Sequence, residues 1–233
     1  MLDMIKDRYD DLTDYLDEHE SVRSIICLLY LPLTLIFMEI IVKIKIFGSL
    51  FDEKFKYMFF LTLAMGFFLS LVAMFLPGGA RRFFFKVTLA VLAVWYSFHV
   101  SYQGNFQTFF SWQTLGQAKD ITQFWREAIV ATLNVWYMVL AFFLPLVLMC
   151  LLGRMLVPDE TPPNHVFAAI SLTGLIVFYL PILVVINQSK DESGDYTPYY
   201  YYTYLQNDLD STFRYFGIIN TTRLDIKQLI FGA

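Results

Sequence analysis

The sequence predicts an all-α fold, a polytopic membrane bundle of five transmembrane helices, and three features carry that prediction. Of the 233 residues, 57% are hydrophobic and 18% aromatic, while charged residues make up only 16%, against about 25% in a soluble domain. The mean hydropathy is +0.52, more apolar surface than a soluble fold of this size can bury. Third, the chain contains five apolar runs, each close to the ~20 residues that cross a hydrocarbon core. Prolines, glycines and charges separate them.

Residues 1–23 come first. Asp3, Asp7, Asp10, Asp11, Asp14, Asp17, Glu18 and Glu20 exclude a signal peptide, which needs a basic start and a short apolar core. Leu2, Ile5, Tyr9, Leu12 and Leu16 recur at steps of three and four. This spacing predicts an acidic amphipathic helix, either solvated beside the membrane or docking a partner.

The five spans are expected at residues 24–42, 57–76, 87–102, 128–152 and 166–186, making one domain of residues 24–186. Pro32, Pro145 and Pro181 lie inside three of them, which neighbouring helices accommodate in a membrane. The second run stops at Pro77-Gly78-Gly79, and Pro158, Pro162 and Pro163 break the chain between the last two. No internal repeat suggests a transporter of duplicated halves. Gly78-Gly79 with Arg81-Arg82 predicts a short turn with snorkelling arginines, or a contact with anionic lipid.

Two segments outside the spans matter. Residues 103–126 carry Phe106, Phe109, Phe110, Trp112, Phe124 and Trp125 among polar neighbours, which predicts short helices in the headgroup layer. Residues 187–233 form a juxtamembrane connector. A polar linker, Lys190 to Asp195, leads to a tyrosine cluster around Tyr196 to Tyr204. Phe213, Phe216, Ile219, Leu224, Ile226, Leu229 and Ile230 then mark the apolar faces of short amphipathic helices. Such a tail suits a collar between the membrane and a packed domain beyond it.

Several chemistries are excluded. The net charge of −4 gives no basic character for nucleic acid. The sequence lacks a phosphate-binding glycine loop, a paired-histidine metal motif and a nucleophile elbow. Cys27 and Cys150 sit in apolar runs without metal-ligand spacing and are expected as free thiols. Lysines and arginines divide evenly between the two sides, so charge does not orient the chain.

The connector carries a resemblance. Phe213-Arg214-Tyr215-Phe216-Gly217, Thr222-Arg223-Leu224-Asp225-Ile226 and Leu229-Ile230-Phe231-Gly232 resemble the juxtamembrane connector of the lipoteichoic acid synthase family. Those proteins are membrane-anchored phosphoglycerol transferases of Gram-positive bacteria. Pro198-Tyr199-Tyr200-Tyr201-Tyr202, Phe37-Met38-Glu39-Ile40-Ile41-Val42-Lys43 and Gln123-Phe124-Trp125 are similar to family segments in the same order, so the likeness covers essentially the whole chain.

The resemblance implies a cell-membrane protein with a cytoplasmic N-terminus and an extracellular C-terminus. It implies a following catalytic domain of the alkaline-phosphatase and sulfatase type, with a threonine nucleophile and manganese. That domain moves glycerol phosphate from phosphatidylglycerol to a polymer in cell wall biogenesis. Catalytic residues and metal ligands are expected beyond Ala233 and none within these residues.

The polar residues of the spans and connector complete the expectations. Glu39 has Lys43 four residues on, which suggests an internal pair or a role near lipid headgroups. His99 reads as a satisfied interfacial histidine or as a contact to a lipid phosphate or a catalytic domain. Arg126 is placed to snorkel or to hold a phosphate, and Asn134 to bond another helix. Arg223 and Asp225 have three candidate partners: each other, the aromatic loop, or a catalytic domain. The expected function is a membrane anchor and lipid-presenting domain. The alternative is a stand-alone five-span scaffold without catalysis.

Overall fold

The computed structural model describes residues 11, 13–112, 130, 132–159, 161–191, 197–203 and 208–231. Among them there is no strand, and five helices are long and apolar enough to cross a membrane. These are α1 (Glu20–Phe47), α2 (Phe55–Met74), α3 (Gly78–Phe106), α4 (Trp136–Leu156) and α5 (His165–Gln188). A 3-10 turn, Ser189–Asp191, leads to α6 (Pro198–Thr203) and α7 (Leu209–Phe231).

The spans run alternately up and down. α2 packs on α1 and α5, α3 on α4, and α7 on α2. Glycine sets the α1–α2 crossing: a Cβ at Gly66 would overlap the Pro32 backbone, so the two helices approach there as no larger residue permits. The core divides by depth. Leu31, Phe85 and Met149 pack at the N-terminal end with Leu16; the other residues of the predicted acidic amphipathic stripe, Leu2, Ile5, Tyr9 and Leu12, lie outside the described residues. Leu35, Met38, Tyr96, Phe142 and Phe213 pack at the opposite, collar end.

The arginine pair after α2 corrects an expectation. Arg81 does not snorkel; it is buried, and its guanidinium donates to the carbonyls of Ala73 (3.1 Å), Leu76 (3.0 Å) and Pro162 (3.1 Å). It thereby ties the C-terminal end of α2 to the loop before α5. Arg82 pairs with Asp159 at 2.5 Å. The α5 end is tied in by its cap, where the Asn164 side chain accepts from the Phe167 N–H at 3.1 Å. Cys27 and Cys150 are free thiols, and Cys27 is buried with its Sγ donating to the Leu156 carbonyl.

α1 and α3 are 28 and 29 residues long, about 42 Å at 1.5 Å per residue against a hydrocarbon core of ~30 Å. Each therefore continues as helix past its apolar run, which hydropathy alone ends at Val42 and Tyr102. Residues 107–112 form no interfacial helix: Phe109, Phe110 and Ser111 are buried. The remainder of the expected interfacial segment lies outside the described residues.

Candidate functional site

The collar end is organised by a break in α7. Gly217 has φ 77° and ψ 174°, so the helix stops and restarts at Ile218. Such backbone belongs almost only to glycine. The restart brings open backbone N–H groups into the bundle, and Glu39 meets them. Its carboxylate, 1% exposed, accepts from the Ile219 N–H at 3.2 Å and from the Tyr96 hydroxyl at 2.6 Å. A residue of the first span thus caps a helix 180 positions away in sequence.

The restarted helix then bonds three further spans in order. Asn220 donates to Thr62 of α2 at 3.3 Å, Thr222 accepts from the Trp95 indole of α3 at 3.0 Å, and Arg223 donates to Tyr179 of α5 at 2.9 Å. With Glu39 included, one turn and a half of α7 touches four of the five spans. Those span residues lie seven to eleven residues from their helix ends, about 10–16 Å inward. The restart is therefore wedged into the bundle at one level rather than resting on top.

The expected Glu39–Lys43 pair is not formed. Lys43 is also 1% exposed, but its ammonium pairs with Asp52 at 2.9 Å and donates to the Arg214 carbonyl at 3.2 Å. Arg214 Nε donates to the other Asp52 oxygen at 3.2 Å. Burial pushes the Asp52 carboxyl up, yet Lys43 and then Arg214 outweigh it and hold it below the ordinary range. A shared face of one helix suggests an internal pair; a turn closing on the same lysine with two cations around one carboxylate is the better-satisfied arrangement.

Asp225 and Arg223 do not pair with each other. Asp225 accepts from the Ser111 hydroxyl at 2.9 Å and the Trp112 N–H at 2.7 Å. Burial raises its carboxyl above the ordinary range, against the pull of those two donors. Asp210 accepts from the Phe109 N–H at 3.2 Å and the Thr108 hydroxyl at 3.3 Å. Two aspartates of α7 therefore clasp the segment after α3, which explains its burial.

Arg223 has different surroundings. Its guanidinium donates to the hydroxyls of Tyr179 and Tyr202 (3.1 Å), its Nε–H is buried without a partner, and no carboxylate pairs with it among the described residues. Burial works against its charge, but the Tyr179 bond and the two phenols leave its pKa raised, so it remains a cation. It faces α5, whose apolar window is only 17% buried against 56% for α1.

His99 does not act as a hydrogen-bonded interfacial histidine. It is buried among the rings of Trp95, Phe109, Phe110 and Phe213, with centroids 4.8–6.2 Å away, and neither ring nitrogen has a partner among the described residues. Asn134 is exposed just before α4, and no hydrogen bond joins it to another helix among the described residues. Arg126 lies outside the described residues.

Sequence reasoning did not find Tyr96, Asp52, Arg214, Tyr179, Tyr202 or Asp210. The available signal was weak: tyrosine is common near membrane interfaces, and Asp52 sits in a short loop among other charges. Among the described residues no three His, Cys, Asp or Glu side chains come together to hold a metal. The buried acids are each committed to the donors given above. Comparison with known families, with curated proteins and with solved structures found no match.

Proposed function

We propose that this bundle is the membrane anchor and lipid-presenting domain of a phosphoglycerol transferase resembling the lipoteichoic acid synthases. On this reading the collar end faces the outer leaflet, and a sulfatase-like catalytic domain beyond Ala233 receives phosphatidylglycerol there. On this reading manganese belongs to that domain, where it would supply charge stabilisation at the transferred phosphate.

The observation that carries the reading is Arg223. A half-buried guanidinium with no carboxylate partner among the described residues and a lipid-facing wall beside it suits a phosphate oxygen at its terminal N–H groups. The hydroxyls of Tyr179 and Tyr202, 3.4 Å from each other, hold its two terminal nitrogens side by side. Lys227, exposed one turn later on α7, adds positive charge on the same helix.

The test uses the chain in nanodiscs of equal parts phosphatidylglycerol and phosphatidylcholine. Retained lipid is counted after detergent exchange. Wild type is expected to keep phosphatidylglycerol, and Arg223→Ala to lose about tenfold of it, the value of one charge-assisted bond. Arg223→Lys should restore part, because it returns the charge without the fork. Equal retention by wild type and Arg223→Ala removes the support. An antibody to the N-terminal segment tests the fused catalytic domain. A native species far heavier than 27.3 kDa supports it, and a species at that mass favours the scaffold alternative.

A further inference from the structure

The collar end holds two neighbouring cations whose capacity to donate is unspent. The turn of residues 48–54 joins α1, which ends at Phe47, to α2, which begins at Phe55, so it sits where two spans leave the hydrocarbon. Lys54 is the last residue of that turn. It forms no ion pair among the described residues, and its ammonium stands 4.5 Å from the centroid of the Tyr215 ring. Arg214 is the preceding residue of α7. Its Nε donates to Asp52 at 3.2 Å, while its terminal nitrogens make no hydrogen bond among the described residues and its side chain is 38% exposed.

Both cations are held in place. The Tyr215 ring beneath Lys54 packs on Tyr57 and Tyr201, with centroids 5.7 and 5.2 Å away. The Asp52 that holds Arg214 is itself fixed by the buried Lys43 at 2.9 Å. Lys43, Lys54 and Arg214 thus bring three positive charges around one carboxylate. Burial lowers the Lys54 pKa from its ordinary value, and the Arg214 charge lowers it further, over the opposing pull of Asp52 and Asp208. Asp208 already accepts from the Ser211 N–H at 2.9 Å. Residues 204–207, which precede it in the sequence, carry no charge and so bring no further acid. The Ser49 hydroxyl, in the same turn, is buried without a hydrogen-bond partner among the described residues.

Like charges fixed side by side and partly withdrawn from water repel each other, and an anion between them removes that cost. The donors narrow its shape. A planar carboxylate docked on the guanidinium fork uses both of its oxygens there. The oxygens of a tetrahedral phosphate do not share one plane, so it can meet the fork and an ammonium together. Its charge also suits the excess of cations. We infer that the α1–α2 turn and α7 together bind a phosphate group, on the Lys54 ammonium and the terminal N–H groups of Arg214. Headgroup phosphates lie at this level of a membrane, and free phosphate esters reach it from the water, so both sources offer the same chemistry. The site is separate from Arg223 and does not depend on the transferase reading.

The experiment uses the full chain in dodecyl maltoside, a detergent without phosphate, and follows the rate at which an amine-reactive reagent labels Lys54. Lys56, exposed two residues on, is the reference within the same chain. Inorganic phosphate, phosphatidylglycerol and oleate are added separately, each against sodium chloride at equal ionic strength. Labelling of Lys54 relative to Lys56 is expected to slow about tenfold with a phosphate source, the value of one charge-assisted bond. Protection by inorganic phosphate assigns a soluble ligand, and protection by phosphatidylglycerol alone assigns a headgroup; either supports the site. Protection by neither overturns it, and so does equal protection by oleate, which would report only micelle charge. These wild-type results decide without any variant. Arg214→Gln, in a form whose α7 resists trypsin as the wild type does, is expected to lose the protection, and its persistence there also overturns the inference. Arg223→Ala is expected to keep it, so that failure here is distinct from failure of the lipid reading at Arg223; protection lost in Arg223→Ala would merge the two sites and overturn this one.

Discussion

Gly217→Ala is expected to release the collar from the bundle. Two costs arise from different atoms. The backbone at φ 77° and ψ 174° costs a residue with a Cβ of order 1–3 kcal/mol. The new Cβ would also stand 2.6 Å from the Glu39 carboxyl atoms, a distance no real contact tolerates. Because Glu39 is buried between Tyr96 and Ile219, moving it leaves at least one donor unsatisfied, for about 1–3 kcal/mol more. The sum, about 2–6 kcal/mol, is comparable to the whole stability of many domains, ~5–15 kcal/mol. It falls on α7 rather than on the spans. The readout is tryptic cleavage at Arg223 and Lys227 in detergent-solubilised protein, which reports how often α7 leaves its seat. The decisive comparison is Gly217→Ala in a Glu39→Ala background. With the carboxylate gone, only the backbone cost remains, so the two changes should be non-additive by about 1–3 kcal/mol. If Gly217→Ala costs the same in both backgrounds, Glu39 does not cap the restarted helix in the way argued.

Two further predictions concern the acids around α7. Asp52 is held below the ordinary carboxylate range, so it contributes stability that is present above its unfolded pKa of about 3.9 and lost as pH falls through its folded value. The difference in collar protection between wild type and Asp52→Asn should therefore be full near neutrality and shrink only as pH falls below about 4; a difference that does not change with pH across the acid range would refute the ion-pair account. The two clasps should also separate cleanly in amide exchange. Asp225→Ala should speed exchange at the Trp112 N–H, and Asp210→Ala at the Phe109 N–H, each by about ten- to hundredfold for a charge-assisted bond, and exchange that rises equally at both amides in either variant would show one cooperative unit instead of two clasps.

What the sequence by itself determined is the set of spans. Insertion depends on the length of an apolar run against the thickness of hydrocarbon, a local property that can be read one window at a time. Pro77-Gly78-Gly79 and the prolines after α4 mark the breaks for similarly local reasons. The connector's amphipathic pattern was also legible, and so was Glu39 as a residue demanding explanation inside a span. Only the tertiary structure decided the partners. A spacing of four residues offered Lys43 to Glu39, but Lys43 took Asp52 and the Arg214 carbonyl, while Glu39 took Tyr96 and Ile219. Nothing in the chain around Gly217 announces a positive φ, since glycine serves many backbones. Arg81 looks like any interfacial arginine until the carbonyls at the end of α2 are placed around it. In each case a buried polar group is satisfied by whatever the fold brings within 3 Å or so. That choice joins residues distant in sequence, so no window along the chain contains it.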